Sequence, residues 1–293
     1  MILIFGSTGF IGKETKKLLD KIGLPYKTVD RNSIEGDSIS LDMYLSFEQE
    51  ELSRFYNDVN AVIYLVGNSS PMKYMDNPEL EVEFFLPNLM KIAKDTATFS
   101  SDARFIYSSS GGMVYDKNIY HRDEESTLAP ETSYGLVKQL SEVSLEYLGR
   151  TAGLNYVIAR IANPIGKNQC NKEQGVIGAI LRSLNSDSEF NLIGSGEQQR
   201  DFIDVQDVAS AFVELIKIDC LQSNVYNIGS GKAYSINQII AIICDITKKE
   251  LLINRVPSRE NESQGFVLDS SLIKSDTKWE CNTDIHDIIR HLI

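Results

Sequence analysis

The apolar run MILIF stops on Gly6 and gives way at once to a Gly-x-x-Gly-x-x-Gly series formed by Gly6, Gly9 and Gly12. A short strand that breaks into such a turn leaves the chain few folds to choose from. Gly6 permits the tight turn out of the strand, Gly9 lets the backbone approach a pyrophosphate, and Gly12 lets the next helix pack against the sheet. Thr8, Phe10 and Ile11 complete the turn and begin that helix, whose N-terminus faces the phosphates. The spacing departs from Gly-x-Gly-x-x-Gly, so its meaning depends on what surrounds it.

The surroundings agree with it. KTVDRN ends a second short strand at Asp30, where a carboxylate can bond the adenosine ribose hydroxyls and repel a 2′-phosphate. This favours NAD over NADP, with Arg31 pulling weakly the other way. Asp42, in LDM after a third short strand, can reach the adenine. Farther along, apolar runs alternate with helical stretches: AVIYLVG, a helix near 78–94, RFIYSSS, a helix over about 133–151, NYVIARI, a helix in VQDVASAFVELIKI, and NVYNIGS. That rhythm predicts an α/β fold, a Rossmann-type doubly wound parallel sheet. Between Gly166 and Phe202, and again after Gly231, the pattern becomes irregular. The expected organisation is therefore a dinucleotide-binding core of residues 1–166 rejoined by 204–230. Residues 167–203 and 231–293 form a smaller, mainly C-terminal substrate-binding part.

A formal net charge of −12 over 293 residues opposes non-specific binding to nucleic acid or anionic membranes. An anionic substrate would need local arginines. The four cysteines, Cys170, Cys220, Cys244 and Cys281, form no Cys-x-x-Cys pair, and the three histidines make no metal-ligand pattern, so reduced thiols and no metal are expected. No basic segment precedes an apolar stretch of signal length, and no run approaches a membrane span. The expectation is a soluble, cytoplasmic protein.

SYGLVK sets Tyr134 and Lys138 four apart on one helix face, where an ammonium beside a phenol favours the phenolate and lets it act as a base. The pair follows a strand that ends in Ser108, Ser109 and Ser110. Hydroxyls at the carboxyl edge of an open α/β sheet can reach a substrate bound beside the nicotinamide.

With FGSTGFIG, AVIYLVG, NPELEVEFFLPN, FIYSSSGGMVY, YGLVK, RIANPIG and GEQQRDFIDVQDVASAF in this order, the chain resembles the extended short-chain dehydrogenase/reductase family, in particular its nucleotide-sugar epimerases, dehydratases and reductases. The resemblance covers essentially the whole chain. It implies that Tyr134 exchanges a proton with a sugar hydroxyl and that Lys138 holds the nicotinamide ribose and lowers the Tyr pKa. Val66 and Gly67 would edge the cofactor site, and Asn163, Arg200 and Arg259 would contact the sugar diphosphate. The family's catalytic Ser or Thr, counted back from Val114, falls on Gly111, so Ser109 or Ser110 is expected to supply the hydroxyl, or the backbone and a water to take its place. Gly112 and Met113 stand where family dehydratases carry an Asp-Glu pair, which disfavours dehydration. The expected activity is an NAD-dependent 4-epimerase of nucleotide-diphosphate hexoses. The alternative is a 4-keto-6-deoxy-sugar reductase using a reduced cofactor, and a non-catalytic dinucleotide sensor or scaffold is a third reading from another class. The family's usual homodimer interface would use the helices at 78–94 and 133–151.

Overall fold

The computed structural model describes residues 1–32, 38–67, 76–167, 175–258 and 265–293. The chain begins β1 (Ile2–Phe5), α1 (Phe10–Ile22), β2 (Tyr26–Asp30), β3 (Ser38–Ser40), α2 (Leu41–Leu45), α3 (Gln49–Phe55), β4 (Ala61–Tyr64) and α4 (Pro78–Phe99). It continues through β5 (Arg104–Ser110), β6 (His121–Arg122), α5 (Ser133–Ala152), β7 (Tyr156–Ile161), β8 (Asn163–Ile165), α6 (Val176–Asn185), β9 (Phe190–Ile193) and β10 (Gln199–Asp204). It closes with α7 (Val205–Lys217), β11 (Val225–Ile228), β12 (Ala233–Ser235), α8 (Ile236–Thr247), β13 (Ile253–Val256), β14 (Val267–Leu268), α9 (Ser271–Thr277) and α10 (Ile285–Leu292).

Seven strands form one sheet in the order β11-β7-β5-β4-β1-β2-β3, every neighbour parallel. This is the doubly wound sheet expected from the alternation. Strand residues alternate between two cores. Ile2, Ile4, Ile63 and Ile106 join Leu19 and Phe212 on one face, while Leu3, Phe5, Val62 and Phe105 join Leu89 and Leu145 on the other. Helices α1 and α7 cover the first face, and α4 and α5 the second. Burial on both faces explains why the strands read as continuous apolar runs.

A third core gathers Ile177, Ile180, Phe190, Phe202, Ile239, Ile243 and Ile288. The stretches whose pattern looked irregular thus contain regular elements, among them α6, β9, α8 and α10. Phe266, Leu268, Ile273 and Trp279 pack instead with the first core, so the chain beyond 231 is shared between the two.

The turn after β1 is held by contact as well as conformation. Gly6 adopts φ +88°, and a Cβ on Gly12 would lie 2.5 Å from the Gly6 carbonyl oxygen and 2.7 Å from Ser7 Cα. Those are backbone atoms and cannot rotate aside. Gly12→Ala is therefore expected to cost about 1–3 kcal/mol, the usual range for overpacking. Thermal unfolding checks this, and an unshifted midpoint would show that the close approach is not required.

Candidate active site

The N-terminus of α1 is left without a side-chain cap: Gly9 stands at the cap position, and the first turn carries no acidic residue. Its free amides can receive an anion, assisted by the helix dipole. Asp30, at the end of β2 and 3 % exposed, accepts hydrogen bonds from Ser7 Oγ at 2.7 Å, Thr8 N at 2.9 Å and Thr8 Oγ1 at 3.1 Å. The carboxylate expected to meet a ribose thus also shapes the glycine turn. Ser7, which shares that work, carries no sequence signal beyond its place beside Gly6. Arg31 and Asp42 are exposed, and Val66 and Gly67 follow β4 along the wall of a cavity. An uncapped helix end, a glycine turn and an acidic strand end together fit a dinucleotide.

Helix α5 begins at the Thr132 cap, whose hydroxyl accepts from Gly135 N at 3.0 Å. A Cβ at Gly135 would overlap the Met113 carbonyl, so the helix start is pressed against the turn after β5. From there Tyr134 and Lys138 project together. Lys138 Nζ donates to the Ser108 carbonyl at 2.6 Å and lies 4.8 Å and 5.5 Å from the ring centres of Tyr107 and Tyr134. Burial pushes the Lys138 ammonium down to about 8, opposed by Glu142 and Glu81. Burial likewise pushes the Tyr134 phenol up to about 12, while a hydrogen bond with Ser110 lowers it and Glu81 raises it. Burial, rather than the neighbouring ammonium, sets the direction of the phenol's shift.

The three serines separate by role. Ser108 offers its carbonyl to Lys138, Ser109 is buried and its hydroxyl donates to Glu142, and Ser110 lines the larger cavity with Tyr134, whose phenol pKa it lowers. A Cβ at Gly111 would lie 2.5 Å from Leu268 Cδ1. Position 111 therefore faces the packing with Leu268, so a hydroxyl counted back from Val114 would miss Tyr134.

Two cavities share Ile11, Ser108 and Tyr134. The smaller, about 170 Å³, lies between the end of β4, α4 and α5 and contacts Val66, Gly67, Lys138 and Glu81. The larger, about 530 Å³, is walled by Phe10, Ser109, Ser110, Met113, Ile177 and Phe202, with Asn163, Gln198 and Arg200 as polar groups. Asn163 Nδ2 donates to the Asp201 carbonyl at 2.8 Å, and Arg200 Nη1 to the Gln199 carbonyl at 2.8 Å. Arg259 lies outside the described residues. Gln198, inside the GEQQRDF segment but not singled out there, keeps a buried Oε1 without a partner among the described residues.

Among the described residues no group of three or more His, Cys, Asp or Glu side chains is placed to hold a metal. Cys220, Cys244 and Cys281 are unpaired thiols, and burial raises Cys281 to about 12. Cys170 lies outside the described residues. No described helix is long and apolar enough to cross a membrane.

A model of the NAD dependent epimerase/dehydratase family matches residues 2–229. The dTDP-4-dehydro-6-deoxyglucose reductase of Escherichia coli is 27 % identical over 313 residues, covering 100 % of this chain and 96 % of the reductase. The CDP-paratose 2-epimerase of Salmonella typhi is 22 % identical over 329 residues, covering 99 % and 97 % of the two chains. The structure of a UDP-glucose 4-epimerase with UDP-glucose from Thermotoga maritima superposes with a TM-score of 0.85 at 24 % identity, covering 99 % and 96 %. That likeness fixes the fold.

The lowered Lys138 pKa sets a pH signature for stability. Below about 8 both folded and unfolded chains hold the proton, and the cost of burying the ammonium is fully present. Between there and the ordinary 10.5 the unfolded chain binds more protons, so this cost is relieved as pH rises. The stability of Lys138→Met relative to the unsubstituted protein should therefore be greatest near pH 7 and decline between pH 8 and 10.5. Denaturant unfolding at both ends of that window measures it, and a pH-independent difference would contradict the assignment.

Proposed function

The chain belongs to the NAD dependent epimerase/dehydratase family, and from that premise we propose that it is an NAD-dependent 4-epimerase of nucleotide-diphosphate hexoses. The family is one of enzymes. The observation that carries the reading is the junction of the two cavities at Tyr134, with Ser110 and Lys138 beside it. When bound, the dinucleotide supplies a hydride acceptor and donor. The chain's own residues handle the proton. Tyr134 takes it from the 4-hydroxyl as the carbonyl forms and returns it after the ketone has turned over, while Ser110 steadies the oxygen. Lys138 holds the cofactor ribose and supports the phenolate once its burial is offset by the occupant.

In the larger cavity Asn163 and Arg200 serve as the diphosphate contacts, and the guanidinium offers a phosphate-matched fork in an acidic protein. Arg259 is proposed for the same role on the resemblance alone. Asp30 supports NAD over NADP, because a buried carboxylate at the end of β2 repels a 2′-phosphate. A second reading, reduction of a 4-keto-6-deoxy sugar, is favoured by the full-length likeness to the E. coli reductase. The proposed homodimer uses α4 and α5. Their outer faces expose Leu80, Phe84, Leu136, Val143 and Tyr147, a patch suited to a four-helix contact.

Tyr134→Phe removes only the proton carrier, so turnover should fall by about 10²- to 10⁴-fold with nucleotide binding nearly intact. Ser110→Ala should slow the reaction more than Ser108→Ala, since it is Ser110 that lowers the Tyr134 phenol's pKa. Steady-state kinetics beside calorimetric binding decide both. A Tyr134→Phe rate within threefold of the original would remove the phenol from the chemistry.

The epimerase must keep its cofactor through a full cycle. The purified protein is thus expected to carry bound NAD and to interconvert two hexose epimers from a panel of UDP-, GDP- and dTDP-sugars without added reductant. Stoichiometric oxidation of NADH or NADPH by a 4-keto-6-deoxy sugar, with no epimerisation across the panel, would establish the reductase instead.

A further inference from the structure

Glu81 stands in the first turn of α4, 1 % exposed, and neither of its carboxylate oxygens has a hydrogen-bond partner among the described residues. Buried carboxylates are rarely left this way, because the lost hydration must be replaced by donors. The side chain borders the smaller cavity, whose nearby walls are largely apolar: Ile11, Leu65, Phe85, Leu89 and Val137. A second buried polar atom on that cavity, the Tyr64 hydroxyl, is also unpartnered. Lys138 borders the same space and donates one of its N–H groups to the Ser108 carbonyl. An unpartnered carboxylate, an unpartnered phenol and an ammonium thus belong to residues that border one space of about 170 Å³.

A vicinal diol suits that arrangement. Each hydroxyl can donate to a carboxylate oxygen while accepting from an ammonium or a phenol. We propose that Glu81 is a binding residue for the ribose next to the nicotinamide, its two oxygens accepting the two hydroxyl protons of that diol. This rests on the reading of the site as a dinucleotide site and is independent of which sugar is transformed. NPELEVEFFLPN contains Glu81, but an acidic residue in a first helical turn reads as a partner of the helix dipole. Only the packing of α4 on α5 brings it to Lys138.

ADP-ribose carries that second ribose and ADP does not, so their affinities for the full-length protein freed of any co-purified nucleotide, measured by calorimetry, isolate the contact. The unsubstituted protein should bind ADP-ribose more tightly than ADP. Glu81→Gln and Glu81→Ala should weaken ADP-ribose by about tenfold or more, the scale of a hydrogen bond to a charged group, and leave ADP within twofold. An ADP-ribose analogue lacking the terminal sugar's vicinal hydroxyls should bind the unsubstituted protein about tenfold less well and lose nothing further in Glu81→Gln. An unchanged ratio of the two affinities in Glu81→Gln would overturn the proposal, as would a parallel loss of both ligands. An analogue that matches ADP-ribose on the unsubstituted protein would do the same even if Glu81→Ala failed to fold. Failure of the unsubstituted protein to bind either nucleotide would overturn the dinucleotide reading itself, and this proposal with it.

Discussion

The buried ion pair between Glu142 on α5 and Arg160 on β7 is the interaction on which the site's geometry depends. Arg160 Nη2 and Glu142 Oε2 are 2.8 Å apart, with the two side chains 6 % and 5 % exposed, and Arg160 Nε adds a bond of 3.1 Å to the same oxygen. Tyr134, Lys138 and Glu142 recur every four residues, so they share one stripe of the helix. Anchoring Glu142 to the sheet therefore sets the rotation at which the phenol and the ammonium face the cavities. Such a pair contributes little net stability, since desolvation opposes the attraction, yet losing one partner leaves an uncompensated charge. Its value here is orientation.

The pair is also the centre of a wider network. Arg160 Nη1 donates to the Tyr115 hydroxyl at 2.9 Å and to the Glu124 carbonyl at 2.9 Å, and Tyr115 donates onward to Asn227 Oδ1 at 2.7 Å. Asn227 in turn donates through Nδ2 to the Arg122 carbonyl at 3.0 Å, and Arg122 Nη1 donates to the Gly111 carbonyl at 3.0 Å. The turn after β5, α5 and the β11 edge are thus held together by satisfied polar groups. Ser109 belongs to this framework through Glu142. Its hydroxyl is committed to holding the helix, while it is Ser110 that acts on the Tyr134 phenol.

What can be read directly from the sequence follows from which constraints are local. The glycine turn, Asp30 and the Tyr134–Lys138 pair are legible because strand period, helix period and glycine's steric freedom act within a few residues. The sheet is legible for the same reason, since strands buried on both faces spell continuous apolar runs. Ser109 and Ser110 cannot be told apart by spacing. Adjacent strand residues point to opposite faces, and which face meets the cleft is set by α5 and by Leu268, which lies 158 positions beyond Ser110. Helix α8 escapes notice because Ile236, Ile239, Ile240, Ile242, Ile243 and Ile246 crowd its twelve residues and blur the period. Glu81, Glu142 and Arg160 look like ordinary charged residues until the topology buries them.

The electrostatics of Tyr134 and Lys138 tie binding to chemistry. Burial disfavours both charged forms, driving the phenol up to about 12 and the ammonium down to about 8. The pair as it stands is therefore a phenol that holds its proton beside an ammonium that gives its own up more readily. Glu81 acts on both in the same sense, raising each pKa and so favouring the protonated state. A ligand that engages the carboxylate and brings positive charge toward the phenol would weaken that influence and favour the phenolate. Under the proposed reading, base strength would belong to the filled site rather than to the Tyr-Lys spacing alone.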